Sequence, residues 1–296
     1  MQLNIKQIET FYWAAKLGSF TAAAERLFAT QSTVSMRISE LESSLGVKLF
    51  DRRQRNARLT PKGRQLLTHA ERLITVMDEL VDQVATTDAM SGLVRMGVAE
   101  VVSLTWLPGL VKAVHQRYPR IDLELDEALS GDLLDRLEQG KLDIVFAPGI
   151  PSGVGYEVIA LGDVEFRWMA GPGFQPPDAP LRPHDLANHP IVALSPESYH
   201  HRTIEAWFCA AGVHSRRIDT CKSMSVIAAL VGADLGVGLL PTRCFQRELD
   251  DGRLQLLDTD PPMSPVTFYA LLHRDIQAPV TRAVAELSIE VSDFSA

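Results

Sequence analysis

Residues 18–46 read GSFTAAAERLFATQSTVSMRISELESSLG, and their punctuation divides the start of the chain into three helices. Gly18 is a stop for the helix before it, whose apolar residues Ile5, Ile8, Tyr12 and Ala15 recur at spacings of three and four. Thr21 is placed to cap a second helix through Ala22, Ala23, Ala24 and Leu27, where small residues let a neighbour approach closely. Thr30 is placed to cap a third, with Val34, Ile38, Leu41 and Leu45 on one face and Gly46 just past its end. Helices this short bury their apolar stripes only against one another, so the segment reads as a helix-turn-helix bundle.

The same periodicity leaves Ser32, Ser35, Met36, Ser39 and Ser43 on the outer face of the third helix. A face that only meets water normally carries Glu and Lys. Four serines and a methionine instead make a slim, nearly neutral surface that suits a DNA major groove. Residues 1–63 hold ten Lys and Arg against five acids, a surplus of five positive charges, whereas the rest of the chain stands at −13 and the whole at −8. A basic head on an acidic body is the footprint of a nucleic-acid-binding module joined to something else. Val47 to Leu59 reads as a two-stranded ribbon, with Leu49 and Phe50 inward and Arg52, Arg53, Arg55 and Arg58 around its turn. Charge runs are often only solvated faces. Its position directly after the helix-turn-helix is what makes this one a wing.

Thr60-Pro61 signals the start of a long helix, Thr as cap and Pro in the first turn. Leu66, Ala70, Leu73, Met77, Leu80 and Val84 alternate spacings of four and three, the seam of a coiled coil, and predict dimerisation through this helix. After Ser91-Gly92 the pattern changes. Strands are expected at Val94–Val98, Ile121–Leu125, Asp143–Ala147, Arg167–Ala170, Ile191–Leu194, Ile218–Cys221, Gly236–Leu239 and Thr267–Leu272. Helical patterns fall between them at Trp106–Tyr118, Leu133–Gln139, Thr203–Ala211 and Ser225–Gly232, and the Pro-rich run 172–183 is a surface loop. Such alternation predicts an α/β domain with mostly parallel sheets.

Composition excludes several classes. At 46% apolar and 22% charged residues the chain is an ordinary globular one. Its first residues, MQLNIKQIETFYW, lack the apolar core of a signal peptide, and the longest apolar stretch, Val226 to Leu240, is interrupted by Gly232, Asp234, Gly236 and Gly238. A cytoplasmic protein is therefore expected. Cys209, Cys221 and Cys244 form no C-x-x-C pair, so neither a disulfide framework nor a metal site is predicted. No G-x-S-x-G, P-loop, G-x-G-x-x-G or H-E-x-x-H motif is present, and His200-His201 lacks a companion at metal spacing. An enzyme is the weaker alternative; no catalytic residues and no cofactor are expected.

The sequence resembles the LysR-type regulators over essentially its whole length. The N-terminal likeness rests on Phe11, Gly18-Ser19-Phe20-Thr21, Ala23-Ala24-Glu25-Arg26-Leu27, Gln31-Ser32, Val34-Ser35, Ile38, Leu41-Glu42, Leu45-Gly46, Leu49-Phe50, Arg52-Arg53 and Leu59-Thr60-Pro61-Lys62-Gly63. Further landmarks are Leu107-Pro108, Tyr118-Pro119, Leu137, Gly140-Lys141-Leu142-Asp143, Gly236-Val237-Gly238 and Leu240-Pro241. The resemblance implies a winged helix-turn-helix over 1–60, a linker and dimerisation helix over 61–90, and a two-lobed α/β domain similar to periplasmic binding proteins over 91–296. Its first lobe would take 92–162 and 267–296, its second 163–266.

It further implies a transcriptional regulator that binds double-stranded DNA as a homodimer or homotetramer, with RNA polymerase as a further partner. By position the DNA-contacting residues are Gln31, Ser32, Thr33, Ser35, Met36 and Arg37, with Arg52, Arg53, Arg55 and Arg58 of the wing. Met36 departs from the polar or basic residue usual there and offers only apolar contact, for example to a thymine methyl. A small effector of unstated identity would bind between the lobes. The matching places are Glu100, Val102, Ser103, Ser130, Ala147 and Ser195, the loop Tyr199–Arg202 with its Tyr199, His200 and Arg202, and Cys221 and Ser223. Glu100 stands where relatives often have a small hydroxyl residue, and is expected either to pair with a cationic group of the effector or to face the dipole of its own helix. Some relatives sense oxidants through paired cysteines. Cys209 and Cys221 are the candidates for that alternative, although both read as ordinary buried thiols, Cys209 on the apolar side of its helix.

Overall fold

The computed structural model describes residues 4–51, 58–84, 90–149, 155–215, 217–273 and 278–294. Three helices open the chain: α1 (Ile5–Lys16), α2 (Phe20–Arg26) and α3 (Gln31–Leu45). Each begins on a side-chain cap. The Asn4 side chain accepts from Lys6 N at 2.9 Å, Ser19 Oγ from Ala22 N at 3.3 Å and Thr30 Oγ1 from Thr33 N at 3.2 Å. The second cap is Ser19 rather than Thr21, because the extended backbone required of a cap falls at Ser19, directly after Gly18, and Phe20 already starts the helix. Gly46 closes α3 at φ +67°, a left-handed cap that costs a glycine little.

Phe11, Tyr12, Val34, Ile38, Leu41 and Leu49 form the core of this head and are fully or almost fully buried. The ribbon is short. β1 (Phe50–Asp51) and β2 (Arg58–Leu59) pair antiparallel, Phe50 opposite Leu59, and Phe50 packs its ring against Phe11 and Phe20. The linker α4 (Pro61–Val84) starts where Thr60 Oγ1 accepts from Gly63 N at 3.0 Å and donates to Lys48 O at 2.7 Å.

The expected seam of α4 divides in two. Leu66 and Ala70 pack, with Leu67 and Ile74, against the core of their own head, while Leu73, Val76 and Met77 are exposed. The head presents apolar α1 to the first turns of the linker, so only the part beyond that contact is left for another helix. The side chains of Leu80 and Val84 lie outside the described residues.

The rest of the chain builds two five-stranded sheets. In chain order its elements are β3 (Ser91–Val98), α5 (Glu100–Leu104), α6 (Leu107–Arg117), β4 (Arg120–Glu127), α7 (Ser130–Glu138), β5 (Ile144–Pro148) and β6 (Tyr156–Val164). Next come β7 (Phe166–Ala170), α8 (Pro183–Leu186), β8 (Ile191–Leu194), α9 (Tyr199–Ala210), β9 (Ile218–Cys221), α10 (Met224–Gly232), β10 (Val237–Pro241), α11 (Gln246–Asp250), β11 (Gln255–Leu256), β12 (Val266–His273) and α12 (Pro279–Val291). The first sheet has the order β4-β3-β5-β12-β6, the second β11-β7-β10-β8-β9.

Both sheets are mixed, not mostly parallel. β3 runs parallel to β4 and β5, and β8 parallel to β9 and β10, but β12 is antiparallel to β5 and β6, and β7 to β10 and β11. The antiparallel pairs come from the two passages between sheets. The chain leaves the first sheet through Glu165, the single residue between β6 and β7, and returns at Val266, so β6 and β12 lie side by side in opposite directions. β6 was not expected from sequence: it is an edge strand with one neighbour, and most of its residues are half-buried or exposed, so no apolar run marks it. α12 was not expected either, though Pro279 in its first turn and buried Ala283, Val284 and Leu287 are its signal.

Candidate nucleic-acid interface and ligand cleft

The outer face of α3 is polar as expected. Gln31 and Ser32 are exposed, Met36 is 54% exposed, and Ser35 and Ser39 are half-buried at the helix flank. Not every residue assigned to DNA stands free. The Thr33 and Ser32 hydroxyls lie 2.9 and 2.7 Å from Thr30 Oγ1, within the cap, and Arg37 leans back on α1, its Nη1 3.4 Å from Thr10 Oγ1. Arg58 is exposed on β2, whereas Arg52, Arg53 and Arg55 lie outside the described residues.

What holds the ribbon to the recognition helix is Glu42, given no separate role by the sequence reading. Its side chain is 1% exposed; Oε1 accepts from Leu49 N at 2.8 Å and Phe50 N at 3.4 Å, and Oε2 takes the Lys48 ammonium at 2.7 Å. Burial pushes its pKa up, but the Lys48 ammonium and the two N–H groups outweigh burial, and the carboxyl is held below its usual value. A glutamate four residues after Ile38, in register with the inner face, was the available signal.

Between the two sheets lies a cavity of about 280 Å³. Of the residues assigned to the effector, Glu100, Ser130, Tyr199 and His200 line it. Val102 and Ala147 are buried in the core instead, Ser103 and Arg202 lie off the cavity, and Ser195 and Cys221 tie strand ends, Ser195 Oγ donating to Cys221 O at 3.0 Å and Cys221 Sγ to Ser223 O at 3.2 Å. Residues 199–202 are the first turn of α9 rather than a loop, because Ser198 Oγ accepts from His201 N at 3.0 Å and starts the helix there. The cavity's floor is apolar, with Leu129, Phe166, Met224, Leu239 and Phe268, and its charged lining is Glu127, Asp132 and Lys222, none of which has an ion-pair partner among the described residues, with Arg136, which pairs with Asp126. Periodicity hid these residues because they sit at strand ends and first turns, far apart in sequence.

His200 is buried with Nε2 2.7 Å from Leu239 O and Nδ1 3.5 Å from Leu194 N. Burial lowers its pKa to about 4, with His201 adding and the Leu239 carbonyl opposing, so the ring is neutral at pH 7.

Two clasps join the lobes beside the cavity. Ser130 Oγ, in the first lobe, accepts from Tyr199 N at 2.8 Å, and a Cβ on neighbouring Gly131 would stand 2.5 Å from Glu197 O, so only glycine admits this approach. On the other side Glu100 reaches across the cleft to the start of α10: Oε1 accepts from Ser223 Oγ at 2.9 Å, Ser225 N at 3.0 Å and Ser225 Oγ at 2.8 Å, and Oε2 from Met224 N. Glu100 stands in the first turn of its own helix α5, as one expectation had it, but its carboxylate is aimed at the N-terminus of a helix in the opposite lobe.

Cys209 is exposed rather than on the apolar side of α9, Cys221 and Cys244 are half-buried, and all three are free thiols. Burial, with the Glu100 carboxylate adding and Arg243 opposing, pushes the Cys244 thiol up to about 12. Among the described residues no group of three or more His, Cys, Asp and Glu could hold a metal ion, and no helix is long and apolar enough to cross a membrane.

A head that offers a slim helix face beside a ribbon, joined by a long helix to two α/β lobes around a cleft, defines a DNA-binding regulator with a ligand-sensing domain. Known proteins agree. Residues 5–64 match the bacterial regulatory helix-turn-helix protein of the lysR family, and residues 87–293 the LysR substrate binding domain. The chain belongs to the LysR family of transcriptional regulators. It is 28% identical to the HTH-type transcriptional regulator SoxR of Arthrobacter sp. (strain TE1826), over 92% of this chain and 91% of that one. It is 32% identical to a probable hydrogen peroxide-inducible genes activator of Streptomyces viridosporus, over 86% and 82%. In fold it is similar to a full-length OxyR variant from Pseudomonas aeruginosa (TM-score 0.68, 20% identity, 99% of this chain and 96% of that one). It is likewise similar to full-length LysG from Corynebacterium glutamicum with bound effector Arg (TM-score 0.61, 23% identity, 99% and 100%).

Proposed function

We propose that this regulator reads duplex DNA as a two-fold assembly and is controlled by a small molecule taken up in the cleft between its lobes. The observation that carries the reading is the cavity at the junction of the two sheets: an apolar floor with a few charged groups at the rim is the build of a small-molecule site. The Ser35–Met36–Ser39 face enters the major groove, Arg58 and its neighbours in the wing meet phosphate, and Met36 supplies apolar contact only. Leu73, Val76 and Met77 provide the apolar stripe for the partner's linker helix, and a second contact between sensing domains makes the homotetramer. The protein works in the cytoplasm, with RNA polymerase as a further partner.

The test begins with a duplex selected from a random pool by the wild-type protein. Ser35→Glu places a carboxylate against the groove and abolishes its retardation, while Ala206→Glu on exposed α9 leaves it intact; equal loss in both removes the groove assignment. Amines, amino acids and carboxylic acids screened by thermal shift on the full-length protein then test the cleft. A shift that Phe268→Trp, which fills the cavity, abolishes supports it; a shift that survives places the ligand elsewhere.

A further inference from the structure

The first turn of a helix concentrates unpaired N–H groups and partial positive charge, which makes it a place for an anion. At α10, a nine-residue helix on the cleft wall, that place is filled by a side chain from the other lobe. Glu100 takes two backbone N–H groups and two serine hydroxyls there, donors enough to satisfy both carboxylate oxygens. The other charged groups that line the cavity offset one another, Glu127 and Asp132 against Lys222 and Arg136, so the character of this seat is set by Glu100.

We propose that Glu100 is a tethered anion, which joins the two lobes across the α10 N-terminus and bars acidic ligands from that seat. This deepens the reading of the cleft as the effector site and rests on it. A ligand that works through this site displaces or strengthens the Glu100 clasp, and so changes how firmly the lobes are held together, rather than bringing its own carboxylate to join them.

Amide hydrogen exchange in the full-length protein, with acetate as the probe, tests the clasp without the natural effector. In Glu100→Ala the vacated seat admits an acetate ion in place of the lost group. Exchange across residues 223–226 rises by roughly tenfold, the scale of one lost charge-assisted contact, and millimolar acetate reverses the rise while leaving the wild type unchanged. Equal exchange in both proteins, or acetate acting alike on both, overturns the proposal. Should the alanine variant not fold, Glu100→Gln keeps the shape but only one acceptor oxygen; a smaller rise that acetate does not reverse is expected, and exchange as slow as wild type overturns the proposal. Because acetate stands in for the side chain itself, this result is independent of whether the cleft takes an effector, which the thermal-shift screen decides.

Discussion

Two glutamates do the same chemical work in different mechanical settings. Glu42 accepts backbone N–H groups at the entry to the wing, inside one small core, while Glu100 accepts them at the start of α10, across a cleft between two lobes. The first contact can be lost only if the head comes apart. The second can be lost by letting two intact lobes separate. The same bond therefore fixes shape in one region and sets an equilibrium in the other. The sensing domain also buries His200, a base held neutral at pH 7, where the head buries Glu42, an acid whose pKa is held below its usual value.

The largest effect expected from this contrast is an ordered response to acid. His200 has a folded pKa of about 4 against 6.5 for the free side chain, so between these values the unfolded chain binds the extra proton. Its contribution is complete above pH 6.5 and declines as pH falls toward about 4, by ~3 kcal/mol at the limit. Glu42, lowered from 4.5, holds its contribution until pH falls below 4.5. The second lobe should thus weaken before the head. Urea unfolding followed at several pH values by segment-resolved hydrogen exchange checks the order, and His200→Gln should flatten the upper part of the profile only. Simultaneous weakening of both regions would break the comparison.

Next in size is Glu42→Gln, which keeps one acceptor but gives up the charge. It should lower the stability of the head by about 2 kcal/mol, the difference expected for a buried charge-assisted network, and weaken DNA retardation through loss of the fixed wing. Calorimetry of the full-length protein should show the loss in the transition of the head and none in that of the lobes.

Legibility followed the same division. The head was readable because its signals are local: Thr30, Gly46 and Thr60 act within a turn of their own position, and the inner and outer faces of α3 differ by composition alone. The cap at Ser19 was misplaced by two residues because Ser19 and Thr21 carry the same chemistry and only the backbone at Gly18 separates them. In the sensing domain the central strands announced themselves by apolar runs such as Ile144–Ala147 and Ile191–Leu194, all buried. The cleft did not. Glu100 meets residues 123 to 125 positions away, and Ser130 meets one 69 away, and spacing carries no information about which lobe a carboxylate will reach. The resemblance placed Glu100 and Ser130 in the cleft without saying what either holds.

The smallest effect expected concerns the contact between the two regions. Arg26, at the end of α2, stacks its guanidinium on Trp13 at 4.4 Å and meets Asp143 at 2.5 Å, just before β5 in the first lobe. Both side chains are largely buried, 16% and 7% exposed, and Asp143 also accepts from Arg95 N at 2.9 Å. Arg95 in turn lies over the ring of Phe28, in the turn between α2 and α3. The pair therefore joins the first lobe to the back of the reading head, away from the exposed face of α3. Desolvation cancels much of the attraction in such a pair, so its net value is modest even though either partner left alone is unfavourable. A double-mutant cycle of Arg26→Ala and Asp143→Asn, measured by urea unfolding, should return a coupling of about 1 kcal/mol. Asn preserves an acceptor for Arg95 N, which keeps the local backbone bond out of the measurement. If the coupling is zero, this ion pair does not hold the head to the first lobe in solution, and the Arg95–Phe28 contact beside it is left to do so. If it is present, a clasp that lets the lobes part has a second route to the head beside α4, through the strand order of the first sheet and this one ion pair.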